Sequence, residues 1–225
     1  MTDRERLGEK ALEFSEGLWQ RGDVWEFDTS DFERARFTRT MEVLDGTRYS
    51  RVLELGCGAG HFTRLLARLA DRIVAFDIAP SAIARARAAE AETTIIDYRV
   101  GNAMDYGWRS DDPWDLIVMN DTMCYLGWLY PFFDVAWFAS EIHAAIRPGG
   151  HFLMANAMDA QYDKLLLPYI IRTYRDLFVN VGFRPIREEV LSGTKHGVRF
   201  DVLISLFEKP LEARLHDGPG VRSTT

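Results

Sequence analysis

Short apolar runs alternate along the chain with longer segments whose apolar residues recur every three or four positions. The runs "RVLELG", "RIVAFD", "TTIIDYRVGN", "WDLIVMND" and "HFLMANA" have the length of β-strands. Segments between them, such as "HFTRLLARLA" and "SAIARARAAEAE", have helical spacing, and Ser81 is the predicted N-cap of the second. One helix is expected between the fourth and fifth strands, ending before Arg147-Pro148-Gly149-Gly150. This alternation predicts a parallel sheet with right-handed crossovers and helices on both faces.

The C-terminal part follows a different pattern, because two strand-like runs are separated only by a turn. After the helical segment "YIIRTYRDLFVNVG", the runs "REEVLSG" and "VRFDVLISLFEK" are joined by "TKHG". This connection is too short for a parallel crossover, so the two strands are predicted to form an antiparallel hairpin.

The same pattern divides the chain into three parts. Residues 1–46 read as helical, with aromatic residues among charged ones, and form an N-terminal appendage that we expect to act as a lid. Residues 47–209 form the α/β domain. Residues 210–225 form a polar tail with Gly and Pro that we expect to fray.

Composition narrows the class of protein. The chain has 225 residues, 47% of them hydrophobic, which is enough for a full core. The net charge is −7 and the basic residues are scattered, so a nucleic-acid partner is disfavoured and a small molecule is favoured. Neither a signal peptide nor a transmembrane run is recognised, so no membrane partner is expected. Cys57 and Cys124 have no metal or redox spacing, which favours a reducing, cytoplasmic location and predicts no metal site.

Candidate chemistry begins with the stretch "LELGCGAGHFT", in which three glycines follow the first strand. A dinucleotide fold requires G-x-G-x-x-G, but His61 or Thr63 occupies the third glycine position in the two possible frames. A P-loop requires a lysine after the glycines, and none follows here. These two common nucleotide-binding loops are therefore excluded.

The remaining pattern, E-x-G-x-G-x-G, resembles the first motif of class I S-adenosylmethionine-dependent methyltransferases. Asp77 ends the second strand, where a carboxylate can accept both hydrogens of a ribose diol. Asn102 follows the third strand, where the family usually has an acidic residue facing the adenine amine. The resemblance covers about residues 48–208 and implies a Rossmann-like, seven-stranded, mostly parallel sheet with an antiparallel C-terminal strand. It implies S-adenosylmethionine as cofactor, S-adenosylhomocysteine as product, and these cofactor-binding residues: Glu54, Gly56, Gly58, Gly60, Asp77, Ile78, Asn102, Ala103 and Asn120.

The acceptor is indicated by residues 23–44, which resemble the N-terminal segment of the nodulation protein S family of amino-sugar N-methyltransferases. The matching positions are Asp23, Trp25, Ser30, Phe32, Glu33, Arg34 and Arg36, with Val24 in place of the usual proline. "DLIVMNDTMCYL" also matches, although the family commonly has glutamate at Asp121. The resemblance implies a small-molecule acceptor whose amine or hydroxyl belongs to a sugar or a glycosylated natural product.

Three residues are candidates for acid–base or orienting roles. Asp121 follows the fourth strand and is a candidate base for a hydroxyl acceptor, the alternative being a helix cap. Tyr125 lies one helical turn later and can orient the acceptor or belong to the core. His196 lies in the hairpin turn at the same edge of the sheet, and an exposed loop histidine is its alternative.

Aromatic residues supply the candidates for a lid and an acceptor wall. Trp25, Phe27 and Phe32 are lid candidates, with Arg36 beside them, unless they simply pack a helix against the sheet. The segment "LGWLYPFFDVAWF" predicts an aromatic wall including Trp128, Tyr130, Phe132 and Phe133, the alternative being local packing or a dimer surface. His61, beside the glycine loop, is a weaker catalytic candidate, while His143 and His151 read as structural.

Two other functions compete with a small-molecule methyltransferase. A protein or tRNA methyltransferase would share the cofactor motifs, and the acidic charge counts against tRNA. A non-catalytic cofactor-binding module is opposed by the intact glycines and Asp77. The sequence allows either a monomer or a homodimer.

Overall fold

The structure is a computed structural model that describes residues 3–44, 46–90, 94–110, 112–158 and 164–211. The predicted polar tail lies, from residue 212 onward, outside the described residues.

A seven-stranded sheet forms the centre of the protein, in the order β3-β2-β1-β4-β5-β7-β6. The strands are β1 (Tyr49–Leu55), β2 (Ala70–Asp77), β3 (Ile96–Val100), β4 (Trp114–Asn120), β5 (Ile146–Met158), β6 (Arg184–Lys195) and β7 (Val198–Glu208). The first five are parallel, while β7 is antiparallel to both β5 and β6. The predicted Rossmann-like fold class and the antiparallel hairpin are confirmed.

Helices cover both faces of the sheet. They are α1 (Asp3–Trp19), α2 (Asp31–Leu44), α3 (His61–Leu66), α4 (Pro80–Ala89), α5 (Met123–Leu129), α6 (Phe132–Ala145) and α7 (Pro168–Asn180). The central strands are apolar almost throughout, since both of their faces are buried. One core contains Ile117 and Phe152 beneath α5, α6 and α7, and the other contains Val52 and Leu116.

The prediction of one helix between β4 and β5 is wrong, because α5 and α6 are separate helices. Pro131 lies between them, and Tyr130 before it is extended at φ −114° and ψ 150°. Proline disfavours the helical region for the preceding residue, so α5 cannot continue through this position. The Arg147-Pro148-Gly149-Gly150 segment lies within β5, which begins at Ile146.

The prediction that Ser81 caps α4 is also wrong. Ala79 is the N-cap and Pro80 the first helical residue, so Ser81 lies within the first turn. The Glu16 carboxylate of α1 instead accepts hydrogen bonds from the Ser81 backbone N–H at 3.1 Å and from its hydroxyl at 3.0 Å. An acidic side chain at a helix N-terminus satisfies unpaired N–H groups, so α1 supplies the cap for α4.

The β6–β7 hairpin turns at His196 and Gly197, which have φ of 51° and 74°. Positive φ at both central residues is the geometry of a tight two-residue hairpin turn. The turn is therefore shorter than the predicted "TKHG" connection, since Thr194 and Lys195 belong to β6. It lies at the carboxyl edge of the parallel strands, because the antiparallel β7 begins where β5 ends.

Residues 1–46 were expected to be helical, and the described part contains α1 and α2 joined by a connection over residues 20–30. Both helices lie over the carboxyl edge of the sheet and contribute side chains to the cavity described below. Across the described ranges, none of the helices combines the length and hydrophobicity that crossing a bilayer requires.

Candidate functional site

A cavity of about 530 Å³ opens at the carboxyl edge of the sheet. That edge is where open α/β sheets bind ligands. The strand order divides the cavity: the glycine-loop half lies above β3, β2 and β1, and the hairpin half lies above β4, β5, β7 and the β6–β7 turn.

The glycine loop leaves β1 with all three glycines in the left-handed region, at φ of 79°, 53° and 75° for Gly56, Gly58 and Gly60. A Cβ on Gly56 would lie 2.1 Å from the Thr122 hydroxyl, and one on Gly58 would lie 2.5 Å from the Trp19 ring. Both the backbone conformation and the space therefore require glycine.

Asp77 fixes the shape of this loop from the end of β2. Its Oδ2 accepts a hydrogen bond from the Gly58 N–H at 2.9 Å, and its Oδ1 accepts one from the Ala79 N–H at 2.9 Å. Burial raises the pKa of Asp77 to about 6, against the effect of these two bonds. Asp77 lines the cavity, and each carboxylate oxygen has a further lone pair, so this site fits a ribose diol.

Glu54 lies near the end of β1, two residues before Gly56, and is almost fully buried. Burial raises its pKa to about 8, and the neighbouring Asp77 carboxylate acts in the same direction. Glu54 borders the cavity as predicted, but as a carboxyl group that is largely protonated at neutral pH.

Asn102, Ala103 and Ile78 all border the glycine-loop half. The Asn102 side chain is engaged by the protein, because its Oδ1 accepts from the Met104 N–H at 3.0 Å and its Nδ2 donates to the Tyr130 hydroxyl at 2.8 Å. The contact with an adenine amine stays a prediction that depends on the second lone pair of Oδ1.

Tyr130 lines the cavity, and its role in an acceptor wall stays a prediction. The side chain is buried in the glycine-loop half, where its hydroxyl meets Asn102. Burial raises the pKa of Tyr130, so it remains a neutral phenol. Its position follows from the break at Pro131, which turns the chain inward at the end of α5.

Helix α1, part of the predicted N-terminal lid, lies over the glycine-loop half, although none of its residues was among the lid candidates. Trp19 packs on Gly58 and Ala11 is buried in the core. Arg4 donates to the Met104 carbonyl at one end of the helix, and Glu16 caps α4 near the other. The sequence does indicate that this helix packs on the protein through one face, since the apolar positions 7, 11, 14 and 18 lie on one side of a helix.

Arg36 organises the hairpin half. Its buried guanidinium donates to Glu33 at 2.8 Å, to the Asn120 Oδ1 at 2.9 Å and to Asp121. Burial would lower the pKa of Arg36, but the carboxylates of Asp121 and Glu33 raise it above its ordinary value. Arg36 therefore joins α2 to the end of β4 through buried charged contacts.

Both carboxylate oxygens of Asp121 accept hydrogen bonds from the protein. Its Oδ2 accepts from Arg36, its Oδ1 accepts from the Ala157 N–H at 2.7 Å, and its φ is 54°. It is not the cap of α5, since the side chain that accepts from that helix is Asn156, through the Cys124 N–H at 3.2 Å. The catalytic role of Asp121 stays a prediction.

His196 and Lys195 tie the hairpin turn to the loop before α2. His196 lies 2.7 Å from a Glu26 carboxylate oxygen, and its side chain is 73% exposed. Lys195 donates to the Trp25 carbonyl and lies 3.4 Å from both Glu26 and Glu33. His196 thus stands at the mouth of the cavity with an acidic partner.

The lid candidates are placed together over the cavity. Trp25 packs on Trp19 with ring centroids 4.8 Å apart and stacks on Phe27 at 5.8 Å. Phe32 contacts Phe200 at 6.1 Å. Tyr125 and Asn120 also line the cavity, and Tyr125 faces Phe14 of α1 at 5.9 Å.

The predicted aromatic wall is wrong for its exposed members. Trp128 is 55% exposed and packs on the outer side of Phe14, and Phe133 is 75% exposed. In the described chain neither residue borders the main cavity, and the same holds for Phe132.

Of the remaining histidines, His61 lines the cavity and its catalytic role stays a prediction, whereas His143 and His151 lie outside the cavity lining of the described residues. His61 lies 2.8 Å from Asp28, His151 meets the Tyr49 hydroxyl at 3.0 Å, and His143 packs on Phe183. Burial lowers the pKa of both His143 and His151. Over the described residues, no three His, Cys, Asp or Glu side chains are grouped as metal ligands.

Comparison with known proteins agrees with this geometry. Residues 53–154 match a family model described as a methyltransferase domain. The fold, the glycine loop and this match resemble those of class I, S-adenosylmethionine-dependent methyltransferases. S-adenosylmethionine is the cofactor of that class, and Asp77 with the glycine loop fits it.

The chain is also similar to nodulation protein S. It is 31% identical over 142 residues to nodulation protein S of Sinorhizobium fredii, covering 61% of this chain and 62% of that protein. It is 35% identical over 127 residues to that of Bradyrhizobium diazoefficiens, covering 56% and 54%. The matched segments thus span less than two thirds of these relatives.

A similar fold is found in the crystal structure of the N-methyltransferase NodS from Bradyrhizobium japonicum WM9 in complex with S-adenosyl-L-homocysteine. The TM-score is 0.70 at 24% identity, and the match covers 84% of this chain and 93% of that one. This likeness concerns the fold.

Proposed function

We propose that the protein transfers the methyl group of S-adenosylmethionine to an amine or hydroxyl of a small molecule. The observation that supports this most is that the glycine loop and Asp77 line the same cavity as the hairpin half. The similarity to nodulation protein S favours a sugar or a glycosylated natural product as the acceptor. A cytoplasmic location remains part of the same proposal.

S-adenosylmethionine supplies an electrophilic methyl group on a sulfonium, and the protein must align a nucleophile with it. Asp77, at the end of β2, would hold the ribose diol of the cofactor, and the glycine loop would lie beside it. Alignment of this kind contributes about 7–11 kcal/mol to catalysis. Helix α1 and the loop carrying Trp25 exclude water from the cleft.

The need for a base depends on the acceptor atom. A neutral amine attacks without one, whereas a hydroxyl needs a proton acceptor within hydrogen-bond reach. Asp121 and His196 are the candidates. If Asp121→Asn and His196→Ala both retain full activity, neither residue is the base.

Calorimetry with S-adenosylhomocysteine tests the cofactor site directly. We expect micromolar binding, roughly 8 kcal/mol, and loss of binding in Gly58→Arg, because the side chain would displace Trp19. Gly46→Arg is the matched control, since Gly46 also has positive φ at 86° but no described atom lies within 4 Å of the added Cβ. Failure of the wild-type protein to bind would refute the proposal.

A further inference from the structure

We propose that the acceptor has an apolar body, aliphatic or aromatic, which fills the hairpin half and carries the amine or hydroxyl at the end nearest β4. This inference rests on the proposed methyl transfer to a small molecule, and it replaces the sugar that the similarity to nodulation protein S favours with an apolar acceptor. The lining of the hairpin half and the pairing of its charged groups carry the argument.

The sheet order separates the place of the cofactor from that of the acceptor. Asp77 at the end of β2 and Asn102 after β3 place the nucleoside over one side of β1. The acceptor must then approach from the other side, above β4, β5 and β7. This is the hairpin half.

The floor of the hairpin half is apolar. Val198, Phe200 and Val202 alternate along β7, so their side chains share one face of the sheet, and all three line the cavity. Ala157 of β5 lies opposite Val202 and continues the same surface.

The walls are apolar as well. Leu165 and Leu166, in the short helical turn before α7, line one side, and Phe32 of α2 lines the other. Phe32 fits against Gly193 of β6 so closely that an added Cβ there would lie 2.2 Å from the ring. The hairpin is therefore shaped to receive this aromatic side chain, which sets the width of the half.

The charged side chains of the hairpin half form ion pairs and hydrogen bonds with other groups of the protein. Arg36 pairs with Glu33 and Asp121, and Lys195 contacts the Trp25 carbonyl and Glu33. A sugar chain buried here would need polar partners for its many hydroxyls, and leaving them unpaired is unfavourable. An apolar body needs no such partners and gains from leaving water.

The primary test measures methylation of two series by the wild-type protein, n-alkylamines and 4-alkylphenols, with mass-spectrometric detection. We expect kcat/KM to rise about threefold to fourfold for each added methylene until the chain fills the hairpin half. Glucosamine and a de-N-acetylated chitobiose are the polar comparison substrates, and we expect weaker turnover of both.

A matched pair of variants tests the location. Val198→Thr places a hydroxyl on the apolar floor, and we expect about a fivefold or greater loss of kcat/KM for long-chain acceptors. Val190→Thr makes the same change at an exposed position of β6, outside the cavity lining of the described residues, and should have no effect. Retained S-adenosylhomocysteine binding shows that Val198→Thr has folded.

The outcomes separate this inference from the function on which it rests. Turnover of the amino sugars with no dependence on alkyl length would overturn the apolar-acceptor proposal and leave the methyltransferase intact. Absence of S-adenosylhomocysteine binding by the wild-type protein would refute both the proposed methyltransferase function and the apolar-acceptor proposal. Equal effects of the two valine variants would place the apolar acceptor elsewhere.

Discussion

The two halves of the cavity are built in different ways. In the glycine-loop half, backbone geometry dominates: three glycines with positive φ and one carboxylate bonded to two N–H groups define the shape. In the hairpin half, side chains from α2, β4, β5 and the hairpin meet through a buried cluster centred on Arg36. The loop and carboxylate of the first lie within 24 residues, between Glu54 and Asp77, whereas the cluster of the second depends on segments far apart in the chain.

Removing the centre of the cluster should have the largest effect. Arg36→Met leaves Glu33 and Asp121 facing each other without their cation, and we expect about 3–5 kcal/mol of destabilisation in chemical denaturation. Arg34→Met, on the same helix, removes an exposed pair with Asp31 and serves as the control, with a much smaller effect. Equal stability of the two variants would show that the hairpin half does not depend on Arg36.

The glycine-loop half should respond to pH instead. The folded pKa of Asp77 is about 6, raised from 3.8, so its contribution to stability is present below pH 3.8 and is lost as the pH rises through 6. Cofactor binding has the opposite sign, because the ribose diol donates to the ionised carboxylate. S-adenosylhomocysteine should bind about tenfold more weakly at pH 5 than at pH 8.

Calorimetry across this pH range measures the effect, with Asp77→Asn as the control. The amide does not titrate there, so its weaker affinity should be independent of pH. An unchanged affinity in the wild-type protein would mean that Asp77 is not the group that binds the diol.

Helix α1 provides a smaller test of how the glycine-loop half is closed. Glu16→Gln weakens the cap on Ser81, and we expect about 1 kcal/mol of lost stability with a raised KM for the cofactor. Glu13→Gln makes the same change at an exposed position of the same helix and is the control. A change confined to kcat for the acceptor would argue against closure by α1.

The smallest effect is expected outside both halves. Trp128→Ala should leave KM for cofactor and acceptor unchanged, because Trp128 packs on the outer side of Phe14. Steady-state kinetics decides this, and an increased acceptor KM would restore the original prediction of an aromatic wall.

The sequence was sufficient for the features that local chemistry controls. The alternation of strands and helices predicted the sheet. The motif containing Gly56, Gly58 and Gly60, together with Asp77, resembled that of a known family, and this resemblance indicated the cofactor. Each of these residues acts within a few positions of a strand end, where backbone direction is already determined. The same holds for the short connection that made β6 and β7 antiparallel.

The features that depend on long-range packing could not be obtained in this way. The contacts of Arg36 with Asn120 and Asp121 span 84 and 85 positions, and no local pattern specifies such a pair. Tyr130 is buried and Phe133 is 75% exposed, although the sequence predicted one wall for both, because α5 and α6 are separate helices. The cap on α4 came from Glu16, a residue 65 positions earlier.

The placement of Trp19 has a practical consequence. Its indole lies on Gly58 of the cofactor loop and 4.8 Å from that of Trp25, so the two rings are close enough for their excited states to couple. Near-ultraviolet circular dichroism and tryptophan emission should therefore change when a ligand enters the cleft. The protein carries its own optical reporter of occupancy, which requires neither a label nor a known acceptor.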